Sequence, residues 1–200
     1  MTLLNCLLSA WYGLPFVSPN NLLVSTVNGT GSAIESVYVL IFLMFAPKKE
    51  KTKILGLLTL ILSVFAAVVL VSLLALHGNG RKFFCGTAMT VFSIIMYGSP
   101  LTIMRLVIKT KSVEFMPFFL SLFVFLCGTS WFVFGLIGKD PFVAIPNGFG
   151  CGLGAAQLIL YAIYRDNKGQ KRAGESMEMT KSNGKTHEEK PSSDSFQSQV

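Results

Sequence analysis

Charged residues are scarce in this chain: Asp, Glu, Lys and Arg make up only 14% of its 200 residues, while hydrophobic residues make up 52%. An ordinary soluble domain carries about 25% charged residues. The mean hydropathy of +0.57 points the same way. The composition therefore argues against a typical water-soluble domain and predicts an all-α membrane protein, because helices satisfy their own backbone hydrogen bonds in lipid.

Residues that carry chemistry are equally sparse. The chain has two histidines, His77 and His187, and four cysteines that lie singly in or beside apolar runs. Without CxxC spacing or a histidine cluster, neither a zinc site nor a disulfide framework is indicated. No nucleophile motif and no paired carboxylates within apolar runs are present. We therefore expect no enzyme activity, no metal and no cofactor.

Long apolar runs are the dominant feature of the sequence. A helix of about 20 residues crosses the roughly 30 Å of a bilayer's hydrocarbon core. Six candidate spans lie near 2–18, 21–46, 54–77, 85–108, 117–137 and 141–164. Residues 165–200 are rich in Lys, Glu, Ser, Gly and Asn, and this composition predicts a disordered tail.

The basic residues indicate the orientation of the spans. The net charge of +7 could suggest a nucleic-acid partner, but the basic residues stand in short loops and in the tail. Lysine and arginine accumulate in cytoplasmic loops. The loops after the second and fourth spans hold most of them outside the tail, namely Lys48, Lys49, Lys51, Lys53, Arg105, Lys109 and Lys111. We therefore expect these loops and the tail to be cytoplasmic and no nucleic acid to bind.

Two short patterns occur twice in the same order. An aromatic-Gly-Leu triplet stands at residues 12–14 and again at 134–136, and an Asn-Gly-x-Gly group follows at 28–31 and at 147–150. Both copies begin on the cytoplasmic side, so the repeat is parallel. We predict an incomplete first repeat of two helices at 1–46, a linker helix at 54–77 and a second repeat of three helices at 85–164. Gly13 and Gly135 are predicted to pack helices.

The repeat also predicts a helix that this sequence does not contain. The span at 85–108 precedes the second copy, and no corresponding span precedes the first copy. A complete arrangement of two three-helix repeats and a linker would have seven helices. We therefore expect this chain to have six helices and to lack the first.

Asn28 and Asn147 occupy equivalent positions inside apolar spans, where an unpaired amide is costly. An amide both donates and accepts hydrogen bonds, so a facing pair suits a neutral polyol. The alternative is that each asparagine merely bonds a neighbouring helix. Trp131 and Ser9 match each other in the repeat. An aromatic ring at Trp131 could lie against a sugar face, or could serve packing alone.

Three other residues interrupt apolar runs. Pro100 and Pro117 lie toward the cytoplasmic side of their spans, where a proline can kink a helix at a gate. Pro117 also suits the first turn of a helix. Glu35 is a carboxylate inside an apolar run, which could couple transport to protons or could pair with a neighbouring hydroxyl.

These residues carry a family resemblance. The segments "TLLNCLLSAWYGLPFV", "APKKEK", "GNGRKFFCG" and "GTSWFVFGLIGKDPFVAIPNGFG" resemble the plant SWEET (MtN3/saliva) sugar transporters, and most closely the hexose-transporting branch. The resemblance implies a fold of seven helices, built as two parallel three-helix repeats joined by a linker helix. It implies no enzyme activity and no cofactor.

The resemblance also implies roles for particular residues. Asn28 and Asn147 correspond to the paired sugar-binding asparagines, with Trp131 and Ser9 in the same pocket. Tyr12 and Asp140 correspond to an extracellular gate. A cytoplasmic gate would involve the residues Pro100, Pro117 and Met116. Position 134 is Phe where many family members have Tyr.

The predicted function is a facilitative, bidirectional uniporter for glucose or a related hexose, working by alternating access in the plasma membrane. Its expected partners are the sugar, membrane lipid and other SWEET chains in a homo- or hetero-oligomer. A second hypothesis is a truncated, non-transporting subunit that assembles with complete family members and inhibits them.

Overall fold

The structure, a computed structural model, describes residues 1–165, and every regular element in that range is an α-helix. The all-α fold predicted from composition is confirmed. The predicted disordered tail at 165–200 lies outside the described range except for its first residue, Arg165. The helices in order are α1 (Thr2–Tyr12), α2 (Leu22–Phe45), α3 (Lys48–Leu74), α4 (Gly78–Met96), α5 (Gly98–Thr110), α6 (Phe118–Ile137) and α7 (Pro141–Tyr164).

Five segments of residues 1–165 are long and apolar enough to cross a membrane, with α4 and α5 counted together. The remaining helix, α1, has 11 residues, fewer than a span needs. The predicted run at 2–18 is wrong at its C-terminal edge. Gly13, Pro15 and Pro19 disfavour a continued helix, and the chain turns through Asn20 in a left-handed conformation (φ 72°) before α2 begins.

Two spans begin earlier than the apolar pattern predicted. The helix predicted as the linker, α3, starts at Lys48 rather than near 54, because Pro47 at its N-cap position fixes the entry backbone (φ −62°). Helix α4 starts at Gly78 rather than near 85. In both helices the early turns contain lysine or glycine, which hydropathy does not count toward a span. The apolar core of each span is where it was expected.

The span predicted at 85–108 is broken in the middle. Helix α4 ends at Met96, Tyr97 bridges to α5, and the Tyr97 N–H donates to the carbonyl of Ile94 (3.0 Å). Pro100 has no N–H to offer the carbonyl of Met96 four residues earlier, which accounts for a break at this point. The predicted interruption of this span by Pro100 therefore has a structural counterpart.

Pro117 does not interrupt a helix. It occupies the N-cap of α6 (φ −61°), and α6 then runs unbroken from Phe118 to Ile137. Of the two roles considered for Pro117, a kink within the span and the start of a helix, the structure shows the start of a helix. At an N-cap the missing proline N–H costs no helical hydrogen bond, so the residue starts the helix and does not bend it.

The helices pack in an order that follows the sequence repeat. α1 lies against α2 and α4, while α6 lies along α7 and α4 also contacts α7. Their buried core is apolar and includes Leu4, Leu8, Val24, Cys85 and Met89. We call the end where α1 and α6 finish and α2, α4 and α7 begin the Asp140 end, and the opposite end the Pro100 end.

Candidate functional site

A cavity of about 430 Å³ lies among α1, α2, α4, α6 and α7. Its size falls in the range of small-molecule sites, about 300–1,000 Å³. Its lining includes all four residues predicted to bind the substrate, Ser9, Asn28, Trp131 and Asn147. The fold therefore brings together residues that stand up to 138 positions apart in the sequence.

Asn28 and Asn147 have the same local geometry. The Nδ2 of Asn28 donates to the Val24 carbonyl (2.9 Å), and the Nδ2 of Asn147 donates to the Val143 carbonyl (2.8 Å). Each bond runs one turn back within its own helix, so neither amide bonds a neighbouring helix. One N–H and the carbonyl oxygen of each side chain are left to face the cavity.

The glycines beside the asparagines permit close approach. Both α2 and α7 continue unbroken through their Asn-Gly-x-Gly groups. A Cβ at Gly148 would lie 2.8 Å from the ring of Phe132, and one at Gly150 would overlap the Tyr97 hydroxyl. In the first copy a Cβ at Gly31 would lie 3.1 Å from Cys6 Sγ. Three of the four glycines therefore allow close packing against neighbouring side chains, whereas a Cβ at Gly29 would meet no atom within 4 Å. Neither helix unwinds at its group.

Two residues of the cavity that hydrogen-bond to each other were missed by the sequence analysis. The hydroxyl of Ser93 donates to Asn5 Oδ1 (2.7 Å), and this bond links α4 to α1 beside the predicted site. Asn5 could have been found, because it lies one helical turn before Ser9 and therefore on the same face of α1. Ser93 gave no signal that separates it from other serines in apolar runs.

Hydrogen bonds and an ion pair to Asp140 join α1, α2, α4 and α7 at the Asp140 end. The Tyr12 hydroxyl hydrogen-bonds to both Asp140 carboxylate oxygens (2.6 and 2.8 Å), and the Phe142 N–H donates to Oδ1 (3.0 Å). Asn21 Nδ2 donates to Asp140 Oδ2, and Lys82 Nζ lies 3.6 Å from the same atom. We call these five residues the Asp140 network. Tyr12 is fully buried and Asp140 is 3% exposed.

Asn21 and Asp140 are counterparts in the repeat. Asn21 stands seven residues before Asn28, and Asp140 stands seven residues before Asn147. They occupy the N-cap positions of α2 and α7. The bond between them therefore joins the equivalent helix starts of the two repeats. This shared spacing is the signal that could have revealed Asn21, whereas Lys82 had none beyond its charge.

Gly13 and Gly135 make the same kind of contact in each repeat. A Cβ at Gly13 would overlap the Ser25 backbone nitrogen, and a Cβ at Gly135 would lie 2.6 Å from the Ala144 backbone nitrogen. Ser25 and Ala144 each stand three residues before the asparagine of their copy. Each glycine thus allows two helices of its repeat to approach closely, α1 and α2 in the first copy and α6 and α7 in the second. These four helices carry the predicted binding residues.

The residues predicted for a cytoplasmic gate lie apart from the cavity. Met116 is buried (3% exposed) in a cluster with Val107 and Val113, against Leu160 and Tyr164 of α7. None of Met116, Pro100 and Pro117 is among the cavity-lining residues. Their role at a gate stays a prediction, and Pro100 alone coincides with a helix break.

Comparison with known proteins identifies this arrangement. The chain is 79% identical over 173 residues to the bidirectional sugar transporter SWEET1 of Arabidopsis thaliana, covering 86% of this chain and 70% of that protein. The chain belongs to the SWEET family. A protein-family model described as "Sugar efflux transporter for intercellular exchange" matches residues 83–169. The SWEET1a transporter of Oryza sativa subsp. japonica is 75% identical over 169 residues.

A solved structure supports the SWEET fold directly. A eukaryotic SWEET transporter structure superposes with a TM-score of 0.80 at 44% sequence identity, covering 82% of this chain and 77% of that one. Together with the apolar helices, this makes the chain an integral membrane protein of a transporter family and not an enzyme. The chain spans 70% of the length of the Arabidopsis relative and 62% of the rice relative.

Proposed function

We propose that this chain is a facilitative, bidirectional sugar uniporter with a hexose such as glucose as its substrate. The sugar would bind in the central cavity between Asn28 and Asn147, against the ring of Trp131 and the hydroxyl of Ser9. The relatives named above are bidirectional sugar transporters, which supports the class of substrate. The choice of a hexose rests on the resemblance of the sequence segments.

The observation that carries the proposal is the duplicated amide. Two asparagines from equivalent repeat positions line one cavity, and each uses one N–H on its own helix. A hexose presents hydroxyls that donate and accept around its rim, which matches the remaining N–H and carbonyl oxygen of each amide. Among the cavity-lining residues none is charged, and this favours a neutral ligand.

The asymmetry of the two ends supports alternating access. The Asp140 network joins α1 and α2 to α4 and α7 with buried hydrogen bonds, so this end is closed. Release of sugar at this end requires the network to separate. We propose that the Asp140 end is extracellular, because the loops rich in lysine lie at the Pro100 end. Bending at the break before Pro100 would open the other end.

The plasma membrane is the proposed location, with the tail on the cytoplasmic side. Oligomers with other SWEET chains are proposed partners. The second hypothesis, an inhibitory subunit that does not transport, draws no support from relatives whose names describe transporters.

The test is uptake of radiolabelled glucose by yeast that lacks hexose transporters. The chain is expressed both as it stands and with the helix that the repeat predicts ahead of Met1. Saturable uptake by either form, undiminished by a proton uncoupler, is expected. The proposal fails if neither form takes up glucose while both reach the plasma membrane.

Removing the Tyr12 hydroxyl should loosen the Asp140 end. A hydrogen bond to a charged group contributes about 1.5–3 kcal/mol, and Asn21 and Lys82 would offset part of its loss. Tyr12→Phe is therefore expected to raise about tenfold the rate at which a membrane-impermeant thiol reagent, added from outside, labels Cys127 in the cavity. The background lacks the three other cysteines, and labelling is followed by mass shift.

The matched control is Tyr38→Phe, because Tyr38 is 63% exposed on the outer surface of α2. Equal labelling of the two tyrosine variants would contradict a role for the Tyr12 hydroxyl in closure.

A further inference from the structure

Pro146 leaves one backbone carbonyl of α7 without its helical donor. In an α-helix the N–H of residue 146 would donate to the carbonyl of Phe142, four residues earlier. Proline has no N–H, although α7 continues through this position to Tyr164. An unsatisfied carbonyl is costly inside a membrane protein, so its partner is informative.

The partner is a side chain from another helix. The hydroxyl of Thr90 on α4 donates to the Phe142 carbonyl at 3.2 Å. Most threonine hydroxyls in this structure donate to a carbonyl three or four residues back in their own helix, as Thr59 donates to Leu55 (2.9 Å). Thr90 departs from that pattern and reaches across 52 positions of sequence.

The first repeat has no need of such a bond. The position before Asn28 is Val27, which keeps its N–H, whereas the position before Asn147 is Pro146. The orphaned carbonyl therefore belongs to the second repeat alone. The hydroxyl that satisfies it comes from α4, which packs on α7 within the same repeat.

Phe142 connects this bond to the Asp140 network. Its N–H donates to Asp140 Oδ1 (3.0 Å), and its ring contacts the ring of Tyr12 edge-on (centroids 6.0 Å apart). The same ring lies so close over Gly86 of α4 that a Cβ there would overlap it. The first turn of α7 is thus held to α4 through the Phe142 carbonyl on one side and its ring on the other.

We propose that Thr90 is a positioning residue for closure of the Asp140 end. Its hydroxyl replaces the donor that Pro146 removes, and so holds the first turn of α7 where Asp140 meets Tyr12 and Asn21. Thr90 is not among the cavity-lining residues, and its influence runs through Phe142. The inference rests on the proposed gate, but its test does not use sugar.

The experiment measures the rate of Cys127 labelling from outside in the background that lacks the other cysteines. Thr90→Val keeps the shape and removes the hydroxyl, while Thr90→Ser keeps the hydroxyl. We expect Thr90→Val to label about fivefold faster, the factor that corresponds to one net hydrogen bond. Thr90→Ser should label at the parent rate. Thr59→Val is the control for a hydroxyl that bonds within its own helix.

A double-mutant cycle tests the origin of the effect. Pro146→Ala restores an N–H for the Phe142 carbonyl, so the added effect of Thr90→Val should fall to near onefold in that background. All variants are first checked for a monodisperse profile in detergent, and Thr90→Ala replaces Thr90→Val if the latter aggregates.

Three results would overturn the proposal. The first is a parent-like rate for Thr90→Val. The second is a Thr90→Ser variant that labels as fast as Thr90→Val, which would assign the effect to packing of the methyl group. The third is an undiminished Thr90→Val effect beside Pro146→Ala. Cysteine labelling does not require transport. The test of Thr90 can therefore succeed or fail independently of whether the chain takes up glucose.

Discussion

Replacing Asn147 with alanine is expected to reduce glucose uptake strongly. The substitution removes an amide that faces the cavity with one free N–H and its carbonyl oxygen. Each neutral hydrogen bond contributes about 0.5–1.5 kcal/mol, so losing two lowers affinity by about tenfold or more. Asn28→Ala should have an equal effect, because its geometry is the same. The measurement is initial uptake rate against glucose concentration at matched surface expression.

Thr30→Ala is the matched control for these variants. Thr30 stands two residues after Asn28 on α2, and its hydroxyl likewise donates to a carbonyl one turn back (3.0 Å), but the side chain is exposed on the outer surface. If Thr30→Ala reduced uptake as strongly as Asn28→Ala, the loss would reflect the helix and not the cavity. Unchanged uptake in Asn147→Ala would remove the main support for the proposed site.

Gly135→Ala should destabilise the packing of α6 on α7 severely. The new Cβ would stand 2.6 Å from the Ala144 backbone nitrogen and 2.8 Å from its Cα, and backbone cannot move aside as a side chain can. Overpacking of this kind costs about 1–3 kcal/mol, which corresponds to a fall in melting temperature of about 2–12 °C for a chain of this length. The melting temperature is measured by loss of the monodisperse peak after heating in detergent.

Gly152→Ala provides the control on the same pair of helices. A Cβ at Gly152 would meet no atom within 4 Å, and alanine favours a helix over glycine by about 1 kcal/mol. This variant should melt at or slightly above the parent temperature. A Gly135→Ala protein that is as stable as Gly152→Ala would show that the helices separate easily, against the close packing described above.

The sequence alone predicted the α-helical class, the family and the five segments that are long enough to cross a membrane. These depend on composition and on apolar runs, which the membrane imposes directly. The positions of Ser9, Asn28, Trp131 and Asn147 around one cavity also followed, because the repeat relates them. Helix ends were less accurate: α1 stops at Tyr12 and α3 starts at Lys48. Prolines, glycines and lysines decide those ends, and hydropathy is insensitive to where they cap a helix.

Residues that act through contacts between helices were not accessible to the sequence analysis. Lys82 and Ser93 lack any repeat partner or pattern, and only their positions in space associate them with Asp140 and Asn5. Thr90 was missed for a related reason. Pro146 signals an orphaned carbonyl in any helix, but which side chain reaches it depends on how α4 lies on α7.

The contact between Asn21 and Asp140 bears on how a duplicated protein can diverge. A protein made of two copies of the second repeat would bring two aspartates together at this end. It would also have Phe134 at both positions equivalent to Tyr12, and so it would lack the hydroxyl that binds the carboxylate. Like charges at that distance repel strongly. Two copies of the first repeat would have no carboxylate at all. Closure of this end therefore depends on a sequence difference between the two repeats. An ancestor or a designed protein with identical repeats would need other contacts to close it.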